Sequence, residues 1–341
     1  MTAADALHVV VPYPASNSSV RTRALHWIER VDSPGGGGRP TAIVYGPGFR
    51  SGSPPPGTDV LLLRNARRFT RGRHEARVLS RSRLGVYDLD DGLPWDDGNL
   101  PGLGHWWKRP WPRSLVARRA AAAADRVIVG NEVLAEWAEG MCDDVRIVPT
   151  CVEPSDYTRR SGWAIADRPP VIGWIGSPAT QGYLADIATA LRRAHDRTGV
   201  RVELIGAERT AVPMELADFT TAIAWNEHTS LDHLATWDVG IMPLRDGPYE
   251  RAKCGYKLLQ YAAAGVPALG SPVGVNRTML AAMSAPAPVG VDEWTDALID
   301  VLEAGPERRE SMARAGFDLA DRYSYDAWQS AWTDAVGWPS P

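Results

Sequence analysis

Short apolar runs separated by helical patterns recur along all 341 residues, and this alternation limits the fold more than any other feature. "LHVVVPY" from Leu7, "TAIVYG" from Thr41, "DVLLLRN" from Asp59, "RLGVYDL" from Arg83, "DRVIVG" from Asp125 and "VRIVPT" from Val145 read as buried strands. Helical patterns fall between them over Ser19–Val31, Leu115–Ala124 and Glu132–Gly140. Strands that alternate with helices predict a parallel sheet built of βαβ units. The polar, proline-bearing stretch "EPSDYTRRSGWAIADRPP" interrupts the pattern, which then restarts with "VIGWIG", a helix over Gln181–Thr198, "RVELIG", "TAIAW", "VGIMPL" and "VPALG". The expectation is an α/β protein of two Rossmann-like domains, residues 1–160 and 161–322, whose parallel sheets face a central cleft at their strand C-terminal ends. A last helix, over 323–341, places Tyr325, Trp328 and Trp332 at helical spacing, so one face should be buried.

Charge and cysteine usage narrow the class. With 37 Lys and Arg against 41 Asp and Glu, the net charge of −4 argues against a nucleic-acid partner. The three cysteines, Cys142, Cys151 and Cys254, are widely spaced and odd in number, which fits reduced thiols better than a disulfide framework or a metal set. "MTAADALHVVVPYP" has no basic leader, and no apolar run is long enough to span a bilayer. A cytoplasmic protein without stable membrane insertion is expected.

The stretch "YERAKCGYKLLQYAAAGVPALG" raises an electrostatic problem. "KLLQYAAA" is made of helix formers and Gly265 ends it, so a helix is expected to start near Lys253. A helix N-terminus already carries partial positive charge, yet Arg251, Lys253 and Lys257 crowd this one. An anion of high charge density bound there would resolve the conflict; a solvated charged face is the plainer alternative. "GWIGSP" is either a second place for an anion, since Gly176 permits close backbone approach and Ser177 can cap or donate, or a tight strand-to-helix turn with no guest.

These residues carry a family resemblance. "DVGIMPLRDGPYERAKCGYKLLQYAAAGVPALGSPVGVN" resembles the donor-binding region of family 4 glycosyltransferases, which have the GT-B fold, and is closest to a branch with the pattern G-K-C-G-F-K-L-L-Q-Y. "VIGWIGSPAT", "VYDLDDGLPW" and "ADRVIVGNEVLAEWA" match further segments of that branch in order, so the resemblance runs from about Leu7 to Trp332. It implies transfer of a sugar from a nucleotide diphosphate sugar with retention of configuration, no metal or other cofactor, and a final helix that crosses back onto the first domain. Lys253 and Lys257 match lysines that neutralise the departing diphosphate. Gly176 and Ser177 match the loop beside the phosphates, Gly255 and Tyr256 of the donor motif are further donor-binding candidates, and Arg21 in "SSVRTR" is another donor-side candidate. Where many relatives carry two glutamates in an E-x7-E arrangement, this chain has Ala252 and Gln260. Gln260 can still bond a ribose hydroxyl without charge assistance, and Glu250 is the candidate for a sugar hydroxyl.

The acceptor side is expected at "DLDDGLPWDD", five aspartates in ten residues after a predicted strand, with Asp88, Asp90, Asp91 and Asn17 as candidate contacts. Three readings stand for it: a metal site, helix caps paired with arginines such as Arg81 and Arg83, or recognition of a cationic acceptor such as an amino sugar or aminocyclitol of natural-product type. "HWWKRPWPRSLVARR" from His105 fits a partly buried loop, an aromatic lid, or peripheral contact with an anionic membrane surface that would suit a lipid-linked acceptor. Two other function classes compete with sugar transfer. One is a nucleotide-binding pseudoenzyme or partner subunit, which the replaced glutamate at Gln260 keeps open. The other is an NAD-dependent oxidoreductase, against which "PYPASNSS" stands where a G-x-G-x-x-G would follow the first strand.

Overall fold

The computed structural model describes residues 6–31, 42–65, 70–96, 112–165, 168–226 and 229–338. The chain forms two compact units, one of Met1–Thr150, Gly247–Cys254 and Tyr325–Pro341, the other of Cys151–Asp246 and Gly255–Ser324. The break falls earlier than residue 160 because the Val152 N–H already bonds the Tyr323 carbonyl of the second unit (2.9 Å). Residues 247–254 sit in the second half of the sequence yet pack in the first unit, where Ala252 and Cys254 join the apolar core.

The first unit is built on six parallel strands: β1 (Leu7–Val10), β2 (Ala42–Tyr45), β3 (Asp59–Leu63), β4 (Leu84–Leu89), β5 (Arg126–Val129) and β6 (Val145–Ile147). They lie in the order β2-β1-β3-β4-β5-β6. Its helices are α1 (Ser18–Val20), α2 (His26–Val31), α3 (Arg73–Leu79), α4 (Arg113–Ala121), α5 (Glu132–Glu139), α10 (Pro248–Arg251) and α15 (Tyr325–Val336). The helix expected over Ser19–Val31 contains a π turn at Arg21–Leu25, a local unwinding often found at functional sites. Helix α15 packs on α2 through Trp332, which stacks on Trp27 at 5.4 Å, while Tyr325 meets Trp27 edge-on at 4.7 Å. Trp27, Tyr325 and Trp332 are fully buried, whereas Trp328, the third aromatic of the spacing in α15, is only partly buried.

The second unit has five parallel strands, β7 (Val171–Ile175), β8 (Arg201–Ile205), β9 (Thr220–Ile223), β10 (Val239–Met242) and β11 (Ala268–Gly270), in the order β11-β10-β7-β8-β9. Its helices are α6 (Pro178–Gln181), α7 (Tyr183–Asp186), α8 (Ala188–Thr198), α9 (Thr229–Leu234), α11 (Tyr256–Ala264), α12 (Asn276–Ala282), α13 (Val291–Glu303) and α14 (Pro306–Arg322). The single helix expected over Gln181–Thr198 is broken at Gly182 and Ile187 into α6, α7 and α8. Strands this apolar need cover on both faces, and the helices supply it. One cluster gathers Trp174, Leu191 and Trp294, and another Trp237, Leu258 and Tyr261. Among the described residues no helix is long and apolar enough to cross a membrane.

Candidate functional site

Strand order directs attention to two places. In an open parallel sheet, ligands bind beyond the strand C-termini where the winding direction reverses. In the second unit that point lies between β7 and β10, and the loop after β7 carries Gly176 and Ser177. The chain leaving β10 runs through α10 to α11. The helix expected to begin near Lys253 begins instead at Tyr256, because Gly255 adopts a left-handed conformation (φ 67°). A Cβ on Gly255 would also lie 2.5 Å from the Met279 sulfur, so the position suits only glycine.

The three cations therefore do not share one helix end. Arg251 closes α10, where a cation is favoured, and Lys253 lies between the two helices. Only Lys257 occupies the first turn of α11, which holds no acidic residue. Its ammonium stands 5.3 Å above the Trp174 ring. Gly176 borders the same ring, and a Cβ there would overlap the indole edge. The Gly176 N–H is spent on the Ile205 carbonyl (3.0 Å), so this residue offers close approach rather than a donor. Ser177 and Thr180 bond each other across the start of α6, the Ser177 N–H reaching Thr180 Oγ1 at 3.4 Å. Gln260 is buried one turn beyond Lys257, and Tyr256 is half-buried beside it.

In the first unit the reversal lies between β1 and β3. Beyond these strands a charged network is centred on Asp91. Its carboxylate accepts from Arg64 Nη2 (2.9 Å), Lys253 Nζ (3.3 Å), the Tyr249 hydroxyl (3.2 Å) and the Gly92 N–H (2.9 Å). Burial alone would raise the Asp91 carboxyl, but Lys253 and Arg64, aided by the Gly92 N–H, hold it well below the usual carboxylate range. Burial and the same negative charge push the Tyr249 phenol up, so it stays protonated and donates. Arg64 reaches Ser19 Oγ at 2.9 Å and faces Asp90 at 3.6 Å, from a backbone with φ 53°. A left-handed arginine is uncommon, and it is held by these partners.

The remaining candidates have internal partners. Asp88 is fully buried in a two-pronged pair with Arg23 (2.9 and 2.6 Å), whose other nitrogen donates to the Val148 carbonyl. Burial opposes the Arg23 charge, but Asp88 more than compensates and locks it as a cation. Asp88 is thus a strut of the unit, inaccessible to an acceptor. Asn17 caps α1 by accepting from the Val20 N–H (3.4 Å), and Arg21 folds onto the Ser16 carbonyl (2.6 Å). Glu250 lies half-buried in α10. Arg83 pairs with Asp59 rather than with the acidic run, and Asp96 pairs with Arg113. Asp97 and the segment from His105 to Trp111 lie outside the described residues. Among the described residues no three His, Cys, Asp or Glu side chains gather as a metal set.

Two residues that sequence reasoning passed over hold this region together. One is Arg64, whose only signal is a cation directly after an apolar strand. The other is Asn131, which caps α5 and also donates to the Ala252 carbonyl (2.8 Å), fastening residues 247–254. Cys254 adds to that anchor by donating to the Asp90 carbonyl (3.2 Å). Burial pushes its thiol up to about 12, with the Asp90 charge adding to the effect, so it is no nucleophile.

No protein-family model matches the chain, and neither does any curated protein. Solved structures do match. WaaG, a glycosyltransferase involved in lipopolysaccharide biosynthesis, superposes on 97% of this chain and 100% of its own, with a TM-score of 0.69 at 13% identity. The chain has the GT-B fold. Sucrose-phosphate synthase from Thermosynechococcus elongatus matches 80% of this chain and 71% of its own (TM-score 0.60, 14% identity). The pneumococcal O-GlcNAc transferase GtfA, solved with UDP and GlcNAc, matches 82% of this chain (TM-score 0.57, 13% identity), which spans 57% of GtfA's length. At these identities the likeness of GT-B structures bears on fold, and the chemistry must be argued from the residues.

Proposed function

We propose that this protein is a retaining glycosyltransferase that moves a sugar from a nucleotide diphosphate sugar to an acceptor hydroxyl without a metal ion. The observation that carries the proposal is Lys257 in the acid-free first turn of α11, behind left-handed Gly255, at the winding reversal of the second sheet. Breaking a glycosidic bond to a diphosphate develops negative charge on the leaving group. A fixed cation and a helix N-terminus aimed at that charge stabilise the transition state more than the ground state. In this reading Lys257 and the turn at Gly176–Ser177 hold the diphosphate, and Gly255, Tyr256 and Gln260 shape the nucleoside side. Lys253, which the family resemblance also places at the diphosphate, is already paired with Asp91, so in this reading Lys257 carries the charge neutralisation, and Glu250 keeps the sugar hydroxyl contact that the resemblance implies. The anomeric carbon becomes oxocarbenium-like as its bond to the diphosphate oxygen breaks, the acceptor hydroxyl enters from the face the phosphate leaves, and its proton passes to the departing diphosphate oxygen.

The acceptor needs no positive charge. The carboxylates that suggested an amino sugar or aminocyclitol are occupied, Asp88 by Arg23 and Asp91 by Arg64 and Lys253. A glycan of cell-surface assembly is the second reading, favoured by the match to WaaG over nearly the whole of both chains.

The test is a transfer assay with UDP-, GDP-, ADP- and dTDP-sugars, followed by proton NMR of the anomeric signal. Release of one nucleoside diphosphate with an α product from an α-linked donor supports the reading. Inversion would refute retention, and nucleotide binding without turnover across a broad acceptor panel would point to a binding protein instead.

A further inference from the structure

At the edge of the first sheet opposite the Asp91 network, a cavity of about 270 Å³ opens between the loop entering β3 and the last turn of α3. One wall is Ser53 with the proline run 54–56. The other is His74, Arg77, Val78 and Arg81, whose spacing puts them on one side of α3 and its following turn. Proline fixes its own backbone angle, and the loop is further fastened to the α3 side. The Gly57 N–H donates to the Arg81 carbonyl (2.8 Å), the Arg83 N–H to the Thr58 carbonyl (2.9 Å), and the Thr58 hydroxyl to the Pro55 carbonyl (2.8 Å). The cavity is therefore preformed.

Its charge is what calls for a ligand. Among the described residues the guanidinium groups of Arg77 and Arg81 have no carboxylate partner, whereas Arg83 nearby forks onto Asp59 at 2.9 and 2.6 Å. Like charges one turn apart repel each other. Neither arginine is needed to finish α3, whose last carbonyls already accept from the Ser80, Arg81 and Ser82 N–H groups and from the Ser82 hydroxyl. Two guanidinium groups against a stiff wall suit an anion with several oxygens, which each can fork.

We propose that this cavity binds a phosphate-bearing ligand between Arg77 and Arg81. A soluble phosphomonoester and a lipid headgroup share this chemistry. Strand C-termini and N-termini lie at opposite edges of a parallel sheet, so occupancy here leaves the Asp91 network untouched.

The test uses the full chain as wild type, as the Arg77→Gln/Arg81→Gln double variant, and as Lys257→Ala. Inorganic phosphate is titrated by calorimetry, and phosphatidylglycerol and phosphatidylcholine vesicles are compared by cosedimentation. Both arginines are exposed, so the double variant should keep the wild-type melting temperature. The expected result is a saturable phosphate site that weakens at least tenfold in the double variant and persists in Lys257→Ala, which removes only phosphate held at the start of α11. Arginine-dependent capture by phosphatidylglycerol alone would identify a headgroup, and its absence beside phosphate binding a soluble ester. No saturable phosphate binding by wild type, equal binding by wild type and double variant, or loss only in Lys257→Ala, overturns the proposal.

Discussion

Asp91 takes four donors at once, two of them cations, and so does at residue scale what a structural ion usually does. Replacing it by Asn keeps the shape but leaves Arg64 and Lys253 facing an uncharged amide. Charge-assisted hydrogen bonds of this kind contribute roughly 1.5–3 kcal/mol each, so Asp91→Asn should lower unfolding stability by about 2 kcal/mol at neutral pH. The pH dependence has a definite sign. The Asp91 carboxyl is depressed in the folded protein, so its stabilisation is complete above the unfolded value of about 4 and is lost as the pH falls through the folded one. Urea unfolding at pH 7 and pH 3 should therefore show a gap between wild type and Asp91→Asn that narrows in acid. A gap that is unchanged or widens would mean that the carboxylate charge is not what holds Arg64 and Lys253.

At the scale of elements, two joints matter. Gly255 lets the chain enter α11 from a left-handed position, and this places Lys257 in the first turn. Gly255→Ala should cost about 1–2 kcal/mol in backbone strain alone, with further displacement of Met279, and should weaken nucleoside diphosphate binding along with the melting temperature. A variant that melts lower yet binds as before would separate the helix start from the ligand. The second joint is the Trp27–Trp332 stack that holds α15 on α2. Trp27→Ala should cost about 3–5 kcal/mol, and hydrogen exchange should rise in residues 325–336 before it rises in β3. Uniform acceleration throughout the first unit would show that α15 is no separate element of stability.

At the scale of the whole molecule, all eleven strands of the described residues are legible in the sequence, the central ones because parallel strands covered on both faces must be continuous apolar runs, whereas the edge strands β6 and β9 are partly exposed rather than buried. Sheet order is not, since neighbours in a sheet are set by crossovers and not by any local pattern. The excess of cations near Tyr249–Gly270 is legible too, but its explanation is only partly an anion site. Lys253 is matched by Asp91, a partner 162 positions away in sequence, and a left-handed glycine between Lys253 and Lys257 divides them. Arg64 and Asn131 escaped notice for the same reason, as both act on residues remote in sequence. The aspartates of "DLDDGLPWDD" look like ligands when read locally and prove to be largely internal counter-ions.

The proposed chemistry assigns charge stabilisation to Lys257 and the start of α11, so chelation with EDTA should leave sugar transfer unchanged. A loss restored by added Mg²⁺ or Mn²⁺ would overturn metal independence. The most direct test of the central claim is calorimetric titration of UDP, GDP, dTDP and ADP into wild type and Lys257→Ala. One diphosphate should bind, raising stability by about 2.7 kcal/mol at a hundredfold excess over its dissociation constant, and the variant should bind it at least tenfold more weakly. Binding of none of the four, or equal binding by both proteins, would contradict a donor site at the start of α11.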